Sequence, residues 1–158
     1  MRMRDRYLFK AKTAQIVGIY NNGLEDGVWV HGSLRCDVGK YTIFQFETER
    51  ADYVEYEIDP STICQCTGLK DKNGKLIWEN DIIHKPFYTD HDAYANSEAY
   101  TGRIQYEDGG WSVEITKSDG GVCVSPIIEM IAYSEDIEYC EVIGNIFDNK
   151  ELLESEEN

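Results

Sequence analysis

Three histidines and five cysteines are the side chains of this chain best suited to metal binding or nucleophilic chemistry. His84 and His91, with Asp90 and Asp92, form the one grouping that suggests a metal. Zinc takes about four ligands, usually His and Cys in recognisable pairs. Here the two histidines flank Pro86 and sit in or beside a polar, aperiodic stretch, so their spacing does not make a site. Cys64 and Cys66 do not form Cys-x-x-Cys and read as small buried apolar side chains. A Ser or Cys nucleophile needs an adjacent base, and no Gly-x-Ser-x-Gly elbow is present. Gly109-Gly110 and Gly120-Gly121 read as hairpin turns, and neither opens a helix as a phosphate-binding loop does. The carboxylates are too many to single out an acid–base pair. The expectation is a protein with no catalytic signature, no metal and no cofactor.

Charge narrows the partners. The 158 residues carry 30 acids and 15 bases, a net charge of −15. Nucleic-acid affinity rests on Lys and Arg against phosphate, so this balance argues against general binding of nucleic acid or of an anionic membrane. One basic cluster stands near the start: Arg2, Arg4, Arg6, Lys10 and Lys12, opposed by Asp5. Glu135 to Glu157 is strongly acidic. Such runs are usually solvated surface, and the sharper reading is head-to-tail attraction within or between subunits.

An odd number of cysteines without paired spacing argues against a disulfide scaffold. The basic start lacks the apolar run of a secretory signal. No stretch approaches the ~18 apolar residues of a membrane helix. A reducing cytoplasm fits these features.

The elements that must position any site are short strands and tight turns. Hydrophobic residues make up 42% of the chain, enough for a core of one domain or two small ones. Strands are expected at 7–10, 14–20, 28–30, 41–46 and 53–58, the last alternating between a buried and a wet face. Pro60 breaks the pattern, and a boundary is placed there, giving sub-regions 1–60 and 61–158. Asn73-Gly74 marks a turn before a strand at 81–85. The stretch 89–100 reads as a long loop. Asp108-Gly109 and Asp119-Gly120 separate alternating strands of an antiparallel meander. Ser125-Pro126 suits the start of a short helix. Residues 141–147 read as a final strand, followed by a helix over 150–156 capped by Asp148, with Glu151 in capping-box position. The predicted fold is mainly β, with small antiparallel sheets. Few, short strands after residue 75 suggest a small closed barrel. The expected core includes Phe44, Phe46, Val54, Leu69, Ile82, Ile104, Trp111, Val113 and Ile143.

The run 62–83 resembles the signature of the YopX family. That signature reads Gln-Tyr-Thr-Gly-Leu-Lys-Asp-Lys-Asn-Gly-Lys, then an aromatic before Glu-Gly-Asp-Ile. Here Gln65-Cys66-Thr67-Gly68-Leu69-Lys70-Asp71-Lys72-Asn73-Gly74-Lys75 leads to Trp78-Glu79-Asn80-Asp81-Ile82. Cys66 replaces the usual Tyr and Asn80 the usual Gly; Asn tolerates positive φ, so the turn should survive. The ending Glu141-Val142-Ile143-Gly144-Asn145-Ile146-Phe147-Asp148-Asn149 is similar to the family's closing motif. The resemblance implies a phage or prophage protein with an SH3-like barrel in its C-terminal half and no catalytic residue to carry over. Thr67, Gly68, Leu69, Asn73, Gly74, Asp81, Gly144 and Asn145 match the motifs. Gly and Asn at these places report backbone demands first.

Two functions follow as expectations. One is an accessory protein-interaction module, whose partner is another protein or a second copy of this chain. The other is an acidic mimic of DNA that inhibits a host DNA-binding enzyme, which the charge of −15 suggests. A weaker third is direct nucleic-acid binding through the barrel and the basic start.

Overall fold

The computed structural model describes residues 7–14, 24–47, 51–86, 99–116, 121–127 and 139–154. Within them lie eleven strands: β1 (Phe9–Lys12), β2 (Trp29–Asp37), β3 (Lys40–Glu47), β4 (Asp52–Glu57), β5 (Cys64–Lys70), β6 (Leu76–Trp78), β7 (Asp81–Lys85), β8 (Tyr100–Glu107), β9 (Gly110–Thr116), β10 (Val122–Pro126) and β11 (Glu141–Asn145). They make two antiparallel sheets, ordered β4-β3-β2-β1-β5-β6 and β10-β9-β8-β7-β11. By its contacts the chain divides into two compact units, Met1–Gly68 and Leu69–Asn158, with Pro60 inside the first.

In the first unit, β2, β3 and β4 form a meander. Its core face carries Ala11, Val30, Ile43, Val54, Tyr56 and Ile58, all buried. Val54, Tyr56 and Ile58 alternate with Tyr53, Glu55 and Glu57, as the period of two requires. β2 runs past the expected end at 30, straight through His31-Gly32. Gly32 lets β3 approach closely: a Cβ there would collide with the carbonyl of Phe44. The Pro60 break is one 3-10 turn, Pro60–Thr62, capped by the Asp59 side chain accepting from Ser61 N. The chain then returns to pair Cys64 and Gln65 with Lys10 and Phe9. Cys64 and Cys66 are buried, as expected. The strand expected at 14–20 lies outside the described residues beyond Ala14.

In the second unit, Ile77, Ile83, Ile104, Val113, Ile127, Cys140 and Val142 make the core, with Leu69 and Trp111 packed against it. The Asp108-Gly109 turn takes positive φ at both residues, 51° and 81°, which suits the twist of a tight hairpin. β8, β9 and β10 form the expected meander.

Several expectations are corrected. Among the described residues the second sheet does not close into an SH3-like barrel. Closure needs the outer strands to pair, whereas β10 and β11 stand at opposite edges with β9, β8 and β7 between them. There is no C-terminal helix over the described part of 150–156, only a 3-10 turn, Lys150–Leu153. Asn149, not Asp148, precedes that turn, and its side chain makes no capping bond. Both side chains are used elsewhere: Asn149 Oδ1 accepts from Asn145 N at 3.4 Å, and Asp148 Oδ2 from Asn145 Nδ2 at 3.0 Å. Ser125-Pro126 form the end of β10, where Pro126 is tolerated because β10 is an edge, and Ile127 directly after them is helical; the rest of the expected helix lies outside the described residues. Phe46 and Ile143 are 50% and 40% exposed, not core. Most of the 89–100 loop lies outside the described residues.

Candidate functional site

The two motif segments meet in the second unit. β7 and β11 pair so that Asp81 faces Asn145 and Ile82 faces Gly144, with a shift in register between Val142 and Gly144. Asp71 begins the turn between β5 and β6. Its Oδ1 accepts from Asn73 N and Lys75 N, each at 2.9 Å. Its Oδ2 accepts from Val142 N at 3.1 Å. Burial works against the Asp71 charge, but the three backbone N–H donors outweigh it and hold the carboxyl below the usual aspartate range. Lys72 reinforces the joint: its N donates to Cys140 O at 2.9 Å, and its ammonium pairs with Glu141.

Asn80 and Asp81 complete the joint. Asn80 holds φ at +65°, the left-handed conformation expected of the residue that replaces Gly. It also does what Gly cannot. Its Oδ1 accepts from Arg103 Nε at 3.0 Å and Nη2 at 2.7 Å. Asp81, buried, accepts from Trp78 N through Oδ2 at 2.9 Å and so closes the β6–β7 turn. Asn145 Oδ1 accepts from Phe147 N and Asp148 N, shaping the turn after β11. A Cβ at Gly144 would lie 2.6 Å from Asn149 Oδ1, so any larger residue there forces the Asn149 side chain to shift. Gly68 and Gly74 take φ of 78° and 79°. Thr67 is buried, and Leu69 packs on the core. Asp81, Gly144 and Asn145 are thus brought together, and Asn73 and Gly74 shape the turn that Asp71 ties to the same joint. This arrangement satisfies backbone groups and presents no nucleophile beside a base. Asp71 is the residue that motif reading underrates. Its signal is an acid two residues ahead of Asn-Gly, the position from which a carboxylate caps a turn.

The side chains that face outward with chemical character lie in the first unit. Pairing places Lys10 beside His31, Lys12 beside Trp29, Ser33 beside Phe44 and Arg35 beside Thr42. These share the face opposite the core. Lys10 Nζ and Lys12 Nζ lie 5.0 and 5.5 Å from the Trp29 ring centre, and Arg35 lies 5.9 Å from that of Phe44. A shallow depression of about 200 Å³ on this face is lined by Arg35, Asp37, Lys40, Thr42 and Glu55. Ligand pockets usually span roughly 300–1,000 Å³, so it is too small to define an enzyme's substrate site. Cys36, exposed, stands beside Tyr41 in the β2–β3 pairing and pushes its phenol above the usual range. Among the described residues no group of three His, Cys, Asp or Glu could hold a metal ion; His91, Asp90 and Asp92 lie outside them. No helix among these residues is long and apolar enough to cross a membrane.

Fold and joint together define a class: an antiparallel β protein of two units whose signature segments are stitched across the second sheet. The family model for YopX protein matches residues 24–154, and the chain belongs to the YopX family. No curated protein matches it.

Proposed function

We propose that this is a phage- or prophage-derived accessory protein of the YopX family that works in a reducing cytoplasm by binding another protein. The observation that carries this reading is the edge strand β10. Among the described residues it pairs with β9 alone, and its Val122 and Val124 are 60% and 46% exposed. Exposed apolar edges invite another strand, and strand addition lets main-chain hydrogen bonds give affinity while side chains give specificity.

The test is affinity capture of the tagged protein from host lysate, beside a Val122→Lys, Val124→Lys double variant. A specific protein that survives a high-salt wash and is lost with the variant supports the reading. Capture unchanged by the variant overturns the edge-strand site. A DNA-processing enzyme held at low salt and released at high salt would instead favour the acidic DNA mimic, because ion-pair binding weakens with salt.

A further inference from the structure

We propose that a second copy of this chain pairs with the edge strand β10, so that two copies share one antiparallel sheet about a two-fold axis at Cys123. Each copy contributes the five strands of its second sheet. This rests on the reading of β10 as a strand-accepting edge and names the strand that fills it.

Charge singles out this edge. Among the described residues the outer strands of the two sheets are β4, β6, β10 and β11. β4 carries Asp52, Glu55 and Glu57, so a copy paired there would crowd carboxylates together. β11 shifts register against β7 between Val142 and Gly144, an irregularity of the kind that turns an edge away from partners. β6 has three residues, of which Ile77 and Trp78 are buried. β10 reads Val-Cys-Val-Ser-Pro and has no charge, in a chain where 28% of residues are charged. Native edges are commonly guarded by a charged side chain. Here two exposed valines stand instead.

The strand is also complementary to itself. In an antiparallel ladder a residue whose backbone groups point at the partner must face another of the same kind. A two-fold axis therefore sets one residue against its own copy, which makes the contact isologous. Centred on Cys123, the pairing sets Val122 against Val124 of the second copy and Val124 against its Val122. Both pairs lie on one face, and β-branched cross-strand pairs stabilise a sheet. The ladder then runs from Gly121 to Ser125 and stops short of Pro126, which has no N–H to give.

Two copies of net charge −15 repel at long range. Near the axis that repulsion is small. Glu114, beside Val124 on β9, is paired with Arg103 at 3.9 Å. Three strand spacings separate it from its copy, roughly 14 Å, which exceeds the Debye length of about 8 Å at physiological salt. One pair of short strands stays below the roughly 1,000 Å² of a stable interface, so the dimer is weak and forms at high concentration.

The experiment is sedimentation equilibrium of the full chain from micromolar to near-millimolar concentration, at low and at high salt. The mass should rise toward twice that of the monomer. Association should tighten as salt rises, because salt screens the repulsion between copies. Val122→Lys with Val124→Lys should weaken it about tenfold or more, since lysines then face lysines. Val122→Glu with Val124→Glu should do the same. Mixing the two double variants should restore association, because opposite charges then meet across the axis. Denaturation curves check that each variant is folded.

A second measurement leaves the valines intact. In a Cys36→Ser chain, which lacks the exposed thiol of Cys36, mild diamide should link two chains through Cys123. Each Cys123 thiol gives one hydrogen to the diamide as the S–S bond forms. Facing residues of an antiparallel pair stand about 4.5–5.5 Å apart at Cα, within disulfide range. Cys123→Ser should abolish the link. A chain that stays monomeric at every concentration and salt overturns the proposal, while capture of another protein from lysate is still judged by its own variant. A dimer that weakens with salt, that survives the lysine pair or that diamide does not link also overturns it, as does a mixture of the charged variants that stays monomeric.

Discussion

Asp71 Oδ2 accepts a hydrogen bond from Val142 N at 3.1 Å, across 71 residues of chain. One buried carboxylate thereby holds the β5–β6 turn through its first oxygen and anchors β11 through its second. The two motifs of the family meet at this side chain.

Removing it should be expensive. Hydrogen bonds to a charged group contribute about 1.5–3 kcal/mol each, and a buried donor left alone adds a desolvation cost. Asp71→Ala is expected to lower stability by on the order of 3 kcal/mol in urea denaturation. A loss within about 0.5 kcal/mol, the range of ordinary surface changes, would mean the joint is held elsewhere.

The same carboxylate makes stability depend on pH. Its folded-state pKa is lowered from the ordinary 3.8 because the N–H donors overcome burial. A depressed acid stabilises the folded state above its unfolded pKa, and that contribution is lost as pH falls through the folded pKa. The stability gap between the wild type and Asp71→Asn should be flat from neutral pH to mild acid and shrink below 3.8. A gap that stays constant through that range would contradict the assignment.

Asn80→Gly separates backbone from side chain. Glycine accepts the φ of +65° freely but removes the Oδ1 to which Arg103 donates, leaving its ion pair with Glu114 at 3.9 Å. The expected cost is about 1–2 kcal/mol, read as a fall in thermal midpoint. If Asn80→Gly is neutral, the Arg103 contact is incidental and only the turn matters.

Gly144→Ala should cost about 1–3 kcal/mol, as overpacking does, because the new Cβ meets Asn149 Oδ1 at 2.6 Å and its Cβ at 2.9 Å. Pairing it with Asn149→Ala should recover part of the loss. Simple additivity in that double variant would show that the collision is not the cause.

Much of the architecture was legible in residue order. Period-two alternation in 53–58 and 111–116 and the Asp108-Gly109 turn announced antiparallel strands because strand faces and positive-φ turns are local demands. The need for positive φ at position 80 was legible for the same reason. The Asp71–Val142 bond and the Asn80–Arg103 contact were not, since they depend on which strands become neighbours. The misread helix after Asp148 has the same origin. Local rules offered Asp148 and Glu151 as a capping pair, but Asn145 recruits Asp148 and Asn149 for β11.

By itself the sequence determined the antiparallel β class, the places of most turns, the acidic balance and the two family motifs. Each of these is written in neighbouring residues or in totals. Only the tertiary structure decided that the second sheet stays open over the described residues, that the motifs join at Asp71, and that Lys10, Lys12, Arg35 and Lys40 share one face with Trp29 and Phe44. Those outcomes follow from strand order and register. A shift of register by one residue turns every side chain of a strand to the opposite face, so the composition of a face is settled only when the strands have paired.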